Sequence, residues 1–402
     1  MQCNEGLPCA NCVKVKNSQK IYRGPCVRLN LDEVHTFRAG DGDHGNVRAI
    51  LPEMQWLPGG SVKTVELSWP FRANAINAPI LVVDCEEFQP NKEPLSEEYL
   101  ADGLVRQVKL PPWACRDTTA ARKDIESFMI TCQSLLEDEI LKTLSDPILL
   151  LTWNEVKRYR VTYDTKLLTH ALQIYAGAMM NARYPTSIGA SVFGVEDQVH
   201  TPHFFEKLPL PPMLTYQIQA MIGQVMMDIQ TQILKDLKVR VFAKDRIRHW
   251  YEAFLAIFVL LATIEWVFQV QIRFLKAKQG VNERLFTNIS FATQHMLDEW
   301  EASAFNLIGH FRCIMNGELP FSQPWDDTAE NPRRTGLDTQ ALAFVRRIKS
   351  EIEGREGELR ALRAARKELR LEKPLAIICE LFLPDKKEEE TTIKERTTGE
   401  PA

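Results

Sequence analysis

The sequence predicts a mainly α-helical protein, and three observations carry that prediction. From Asp117 onward apolar residues recur at the spacing of one helix face, first in Ile125, Phe128, Met129, Cys132, Leu135 and Leu136. The window from Trp250 to Leu275 is apolar on nearly every side, as the central helix of a bundle must be. Before Asp117 the pattern differs. Pro52, Pro58, Pro70, Pro79, Pro90, Pro94, Pro111 and Pro112, with Gly59-Gly60, fall too close together for long helices.

Composition sets the outer bounds. At 402 residues the chain exceeds one ordinary domain. Apolar residues make up 45% and charged residues 25%, which allows a sizeable core. The net charge of −4 identifies no partner, so any nucleic-acid surface must be local. Met1 to Ala10 holds no apolar run and already contains two cysteines, which is unlike a secretory signal. The nine cysteines are therefore expected as thiols or metal ligands, not disulfides. Within the apolar window the uninterrupted core, Phe254 to Ile264, is about half a bilayer span. Glu252, Glu265 and Arg273 interrupt the wider stretch, and a buried helix is expected, with no membrane partner.

The elements follow in order. Residues 1–40 form a small cysteine-rich, basic unit. Residues 41–116 read as an irregular, proline-rich linker that wraps on something larger, with short extended pieces at Val62, Val65, Leu67 and Ile80 to Val83. Residues 117–315 are the helical domain. Asp117-Thr118-Thr119 offers capping chemistry for its first helix. Trp153 to Met180 holds one or two more, and residues 185–213 are a proline-broken loop. Thr215 to Leu237 is amphipathic, Arg246 to Lys276 is the central helix, and Ser290 to Met315 is the last. Residues 316–384 contain a loop over Pro320 to Pro332, then a charged helix from Gln340 to Lys373 that reads as solvated. Arg363 is expected on its surface. Leu375 to Leu383 is a short apolar segment able to dock on the bundle, and residues 385–402 form a mixed-charge, disordered tail.

Much familiar chemistry is missing. There is no phosphate loop, no strand-coupled glycine fingerprint, no nucleophile elbow and no His-Glu-x-x-His. Gly40-Asp41-Gly42-Asp43-His44-Gly45 lacks the later glutamate of a calcium loop and reads as plain loop. His200 and His203, on a proline-bounded loop, assemble no convergent polar pocket. Glu265, inside the apolar helix, is a candidate for a carboxylate of perturbed pKa, but the favoured reading is a core glutamate paired with an arginine of a neighbouring helix. No catalytic residue is assigned, and an enzyme is not expected.

The N-terminal cysteines carry the clearest chemistry. Cys3, Cys9, Cys12 and Cys26 fall within the first 26 residues. Cys9-Ala-Asn-Cys12 has the spacing that turns two thiolates toward one tetrahedral metal. Lys14, Lys16, Lys20 and Arg23 follow, and positive charge there both favours thiolates and suits a phosphate backbone. Spacing alone leaves a zinc site and a set of unrelated reduced thiols both open.

Cys3-Asn-Glu-Gly-Leu-Pro-Cys9-Ala-Asn-Cys12 resembles the second part of the binuclear cluster of fungal Zn(2)-C6 transcription factors. Pro8, just before Cys9, fits that pattern. Gly24-Pro25-Cys26-Val27-Arg28, then Val34 and Phe37-Arg38, resembles a subgroup of these proteins. Leu208-Pro209-Leu210-Pro211-Pro212, Tyr216-Gln217 and Trp250 to Glu265 resemble their helical regulatory region. The resemblance implies that Cys3, Cys9, Cys12 and Cys26 are the third to sixth zinc ligands of such a cluster. It implies a nuclear, DNA-binding regulator with co-regulator partners, and it leaves a homodimer open. The sequence departs from the pattern in two ways. The stretch between Cys12 and Cys26 is longer than usual, and the first two cysteines, with the base-reading helix they carry, are missing. The expectation is a chain that starts inside the cluster, with DNA binding by Lys14, Lys16, Lys20 and Arg23 weak or lost. The rival expectation is an α-helical protein-interaction module that binds no DNA.

Overall fold

The structure is a computed structural model, and it describes residues 30–37, 51, 53–69, 79–90, 96–101, 104–183, 185–188, 193, 208–279, 283–315, 319–326, 330–366 and 374–383. The fold is mainly α, as the periodicity predicts.

The helices begin where the sequence supplies caps. The Asp117 carboxylate accepts from the amides of Thr119 and Ala120 at 3.0 and 2.9 Å and opens α1 (Thr118–Thr143). Asp146 does the same for Ile148 and Leu149 at the start of α2 (Pro147–Tyr163), with Pro147 in the first turn where its missing N–H costs nothing. Asp164 ends that helix in the left-handed region, φ 45°, a conformation Asp tolerates better than most residues. The chain then turns into α3 (Lys166–Ala182). After a loop come α4 (Pro212–Phe242), α5 (Trp250–Gln279) and α6 (Glu283–Ile314). The short α7 (Glu330–Thr335) precedes α8 (Thr339–Gly354), which Asp338 caps, and α9 (Glu356–Arg366). The single charged helix read over Gln340 to Lys373 is thus two helices, broken at Arg355.

The bundle closes around α5. Trp250, Phe254, Phe258, Leu260, Leu261 and Ile264 are all buried. The helix is long and apolar enough to cross a membrane by composition, yet its apolar window is largely enclosed by neighbouring helices. α3 packs on α5 and is nearly as buried, from Leu167 to Met180. Gly177 permits its close approach to α1 and α4, because a Cβ there would lie 2.7 Å from Met129 and Met226.

Residues 41–116, read as irregular, hold strands among their described residues. They are β1 (Lys63–Ser68), β2 (Leu81–Glu87), β3 (Ser96–Ala101), β4 (Leu104–Lys109) and β5 (Trp113–Cys115). β3 and β4 pair as a separate antiparallel ribbon. The others join β6 (Thr186–Ser187) and β7 (Leu208–Pro209) in an antiparallel sheet of order β5-β2-β1-β6-β7. Val65 and Leu67 of β1, with Leu81, Val83 and Cys85 of β2, are buried in the common core. The Trp69 indole donates to Met180 O at 3.0 Å and stacks on Phe128 with centroids 5.1 Å apart, which pins the sheet to α1 and α3.

Candidate regulatory site

The residues that the cysteine pattern singles out, Cys3, Cys9, Cys12 and Cys26 with Lys14, Lys16, Lys20 and Arg23, lie outside the described residues, as do Gly40 to Gly45, His200 and His203. Among the described residues no group of His, Cys, Asp or Glu is placed to hold a metal ion.

The chain becomes describable at Asn30, four residues beyond Cys26, and it is already bound to the bundle. Residues 30–37 form a strap across α4 and α6. Leu31, Val34 and Phe37, three residues apart, are buried. The polar contacts between them are specific. Asn306 of α6 donates to Asn30 O at 2.9 Å, and Ser303 of α6 accepts from His35 N at 2.9 Å. Gln230 of α4 accepts from both the amide and the hydroxyl of Thr36, at 3.0 and 2.8 Å. Lys238 of α4 reaches Asp32 at 2.6 Å near the surface. Leu31–Glu33 is a single 3-10 turn that satisfies the amides of Glu33 and Val34 internally. The extended residues after it, His35 and Thr36, take their amide partners from helix side chains.

A second segment docks against α5 and α9. Leu375 to Leu383 is buried throughout, as its apolar sequence suggests. Three ionisable side chains clasp it. Glu265 of α5 faces the amides of Leu375, Ala376 and Ile377, with Ile377 N donating at 3.4 Å. Leu375 is left-handed, φ 71°, which turns these successive N–H groups toward one carboxylate. Arg312 of α6 donates to Glu380 O at 3.0 Å and Leu383 O at 2.8 Å, carbonyls that a one-turn helix at Ile378–Leu381 leaves open. Arg363 of α9 pairs with the Glu380 carboxylate at 2.9 Å, both nearly enclosed. Phe382 adds an aromatic contact to Phe254.

Two expectations are corrected here. Glu265 is a perturbed core carboxylate, the less favoured of its two readings, raised to about 8 by burial against the pull of the three amides. Its resolved partners are backbone amides of the docked segment rather than the expected arginine. Arg363, expected at the surface of a solvated helix, is 4% exposed and belongs to the clasp. Helical charge pattern alone hid it, because the segment that covers it comes from further along the chain.

The last turns of α6 therefore hold both terminal segments: Ser303 and Asn306 the strap, Arg312 the C-terminal segment. Nothing in this arrangement positions a nucleophile beside a base over an open cavity. It is built to hold peptide.

A family model of the KpeA transcription factors matches residues 73–371, from between β1 and β2 to just past α9. The chain belongs to this family. The satratoxin biosynthesis SC3 cluster transcription factor SAT20 of Stachybotrys chartarum is 54% identical over 382 residues, which is 95% of this chain and 54% of that relative. The chain thus spans about half the length of the curated relative it matches. No solved structure matches. The family match covers the bundle, Glu265 and Arg312, and Arg363 of the clasp; the strap and the docked segment that the bundle holds lie outside it.

Proposed function

We propose that the chain is a zinc-cluster type transcription regulator of which the described residues are the helical regulatory part. On this reading residues 1–40 are a partial DNA-binding head, and residues 117–315 form the domain that receives the regulatory signal and meets co-regulator proteins. The protein acts in the nucleus by binding, not by catalysis. The observation that carries the reading is membership of a transcription-factor family over most of the chain. The name of the fungal relative supports it. The cysteine pattern at the N-terminus supports the zinc-cluster part of it.

The donor set fits zinc. Thiolates are the usual ligands of structural zinc, and four close one tetrahedral site. Cys9, Cys12 and Cys26, with Cys3, supply that number, whereas a shared two-metal cluster needs more. When bound, zinc would fold the head around its thiolates. Lys14, Lys16, Lys20 and Arg23 then supply phosphate contacts, which position a protein on DNA without reading its bases. In sequence the strap that begins at Asn30 follows Cys26 by four residues, and it is bound to α4 and α6.

Metal analysis of the zinc-supplemented full chain tests the reading. At most one tightly held zinc per chain is expected, lost when Cys9 and Cys12 are both replaced by Ser. Two tightly held zincs would contradict the ligand count. None at all would leave the helical domain as a protein-interaction module without a metal head.

A further inference from the structure

β5 is a three-residue strand at one end of the sheet, and its register places Cys115 directly opposite Cys85 of β2. Both thiols are free and buried. The kind of pairing matters. Arg116 N donates to Asp84 O, and Phe88 N donates to Pro112 O, each at 2.9 Å and in the register of the cysteine pair. Ladder bonds of an antiparallel pair fall on alternate residue pairs, so the position between Asp84 and Glu86 carries none. The Cys115 amide agrees, for it turns away from β2 and donates to Gln217 of α4 at 2.7 Å. Cys85 and Cys115 thus occupy a non-hydrogen-bonded pair. Residues at such positions have Cα atoms about 4.5 Å apart and side chains on the same face. That separation lies inside the span a disulfide requires.

We propose that Cys85 and Cys115 are a site of reversible oxidation by hydroperoxides, closing a disulfide that staples β5 to β2 around the β3–β4 ribbon. The step balances without any group bound by the protein. The Cys115 sulfur attacks the peroxide, the O–O bond breaks, and an alcohol or water leaves as the sulfur becomes a sulfenic acid. The Cys85 sulfur then displaces the sulfenic oxygen as water. Two sulfurs are oxidised by one electron pair, and one peroxide bond is reduced. Cys115 is the attacking thiol because it lies on the end strand and receives the Asp117 amide, which favours its thiolate, although burial holds both thiols well above the usual range. All three residues of β5 are buried, so reaction requires local opening of this strand and is accordingly slow. Side-chain separations at this kind of pair are wider than relaxed disulfides prefer, so the bond is readily reduced again.

The test uses the full chain. Hydrogen peroxide is raised until the half-buried Cys313 is oxidised, with the helical circular-dichroism signal unchanged. Remaining thiols are then alkylated in denaturant and the peptides mapped. A peptide linking Cys85 to Cys115, lighter by two hydrogens and split by dithiothreitol, is the expected result. In Cys115→Ser, Cys85 is expected to remain a thiol. If both residues in the unsubstituted chain are recovered as alkylated thiols, or are found linked to other cysteines, the proposal fails. That readout stands even where the substituted chain does not fold.

Discussion

Arg363 lies in a sequence, Glu356 to Arg366, that looks solvated from end to end, yet its guanidinium is enclosed against Glu380. Removing one partner of a buried pair strands the other charge in a poorly solvating interior, at a cost of about 3–5 kcal/mol. Arg360, one turn away on the same helix, pairs with Glu356 at the surface, where an ion pair contributes about 0–1 kcal/mol. Urea melts should therefore separate Arg363→Ala from Arg360→Ala by several kcal/mol. Equal midpoints would mean that the docked segment does not cover α9. Glu265 predicts a pH dependence. Its pKa is raised from 4.5 to about 8 in the folded protein, so folding takes up a proton in that window. Its contribution is whole below about 4.5 and is lost as pH rises through about 8. Glu265→Gln, neutral at every pH, should remove that part of the slope when its melts are compared with the unsubstituted chain over this range. Unchanged slopes would show that the carboxylate titrates in water. The carboxylate was legible in the sequence as an acid inside an apolar run. Its partners were not, because backbone amides have no residue identity to read.

At the scale of elements, α5 was the most legible part of the chain, since a helix apolar on all sides has few places to go except the centre. Phe258 packs edge-on against Trp153 at 5.6 Å, and Leu260 is 1% exposed. Phe258→Ala or Leu260→Ala should destabilise by about 2–5 kcal/mol, the range for large-to-small changes in a core. A urea midpoint that barely moves would mean that α5 is not at the centre. The strands were half legible. The prolines that argued against helices also argued for irregularity, but they bracket strands rather than interrupt them. Pro58 and Pro70 flank β1, Pro79 and Pro90 flank β2, and Pro111-Pro112 precede β5. Proline at strand ends removes no ladder bond, and this is where sheets tolerate it. Within those brackets the burial of Val65 and Leu67, and of Leu81, Val83 and Cys85, follows the two-residue period of a sheet with one face in the core.

For the molecule as a whole, the helical class followed from periodicity, whereas the coupling of its ends did not. Leu31, Val34 and Phe37 show a three-residue spacing, too short a signal to place a strap on α4 and α6. Leu375 to Leu383 was legible as a segment able to dock, but its clasp joins residues about 110 positions apart, Glu265 to Ile377, and no local pattern reports that. The result is a bundle whose helix α6 binds residues of both the strap, through Ser303 and Asn306, and the docked segment, through Arg312. DNA binding tests the proposed regulator most directly. The full chain, loaded with zinc, is titrated with a GC-rich palindrome and with scrambled DNA of the same composition at two salt concentrations. Three or four phosphate contacts should lose on the order of a hundredfold in affinity between about 50 and 200 mM salt. That loss is the expected result, with the two sequences bound alike. A palindrome preferred about a hundredfold at the higher salt would reveal a complete base-reading head, and no binding to either DNA at low salt would remove the head from the account altogether.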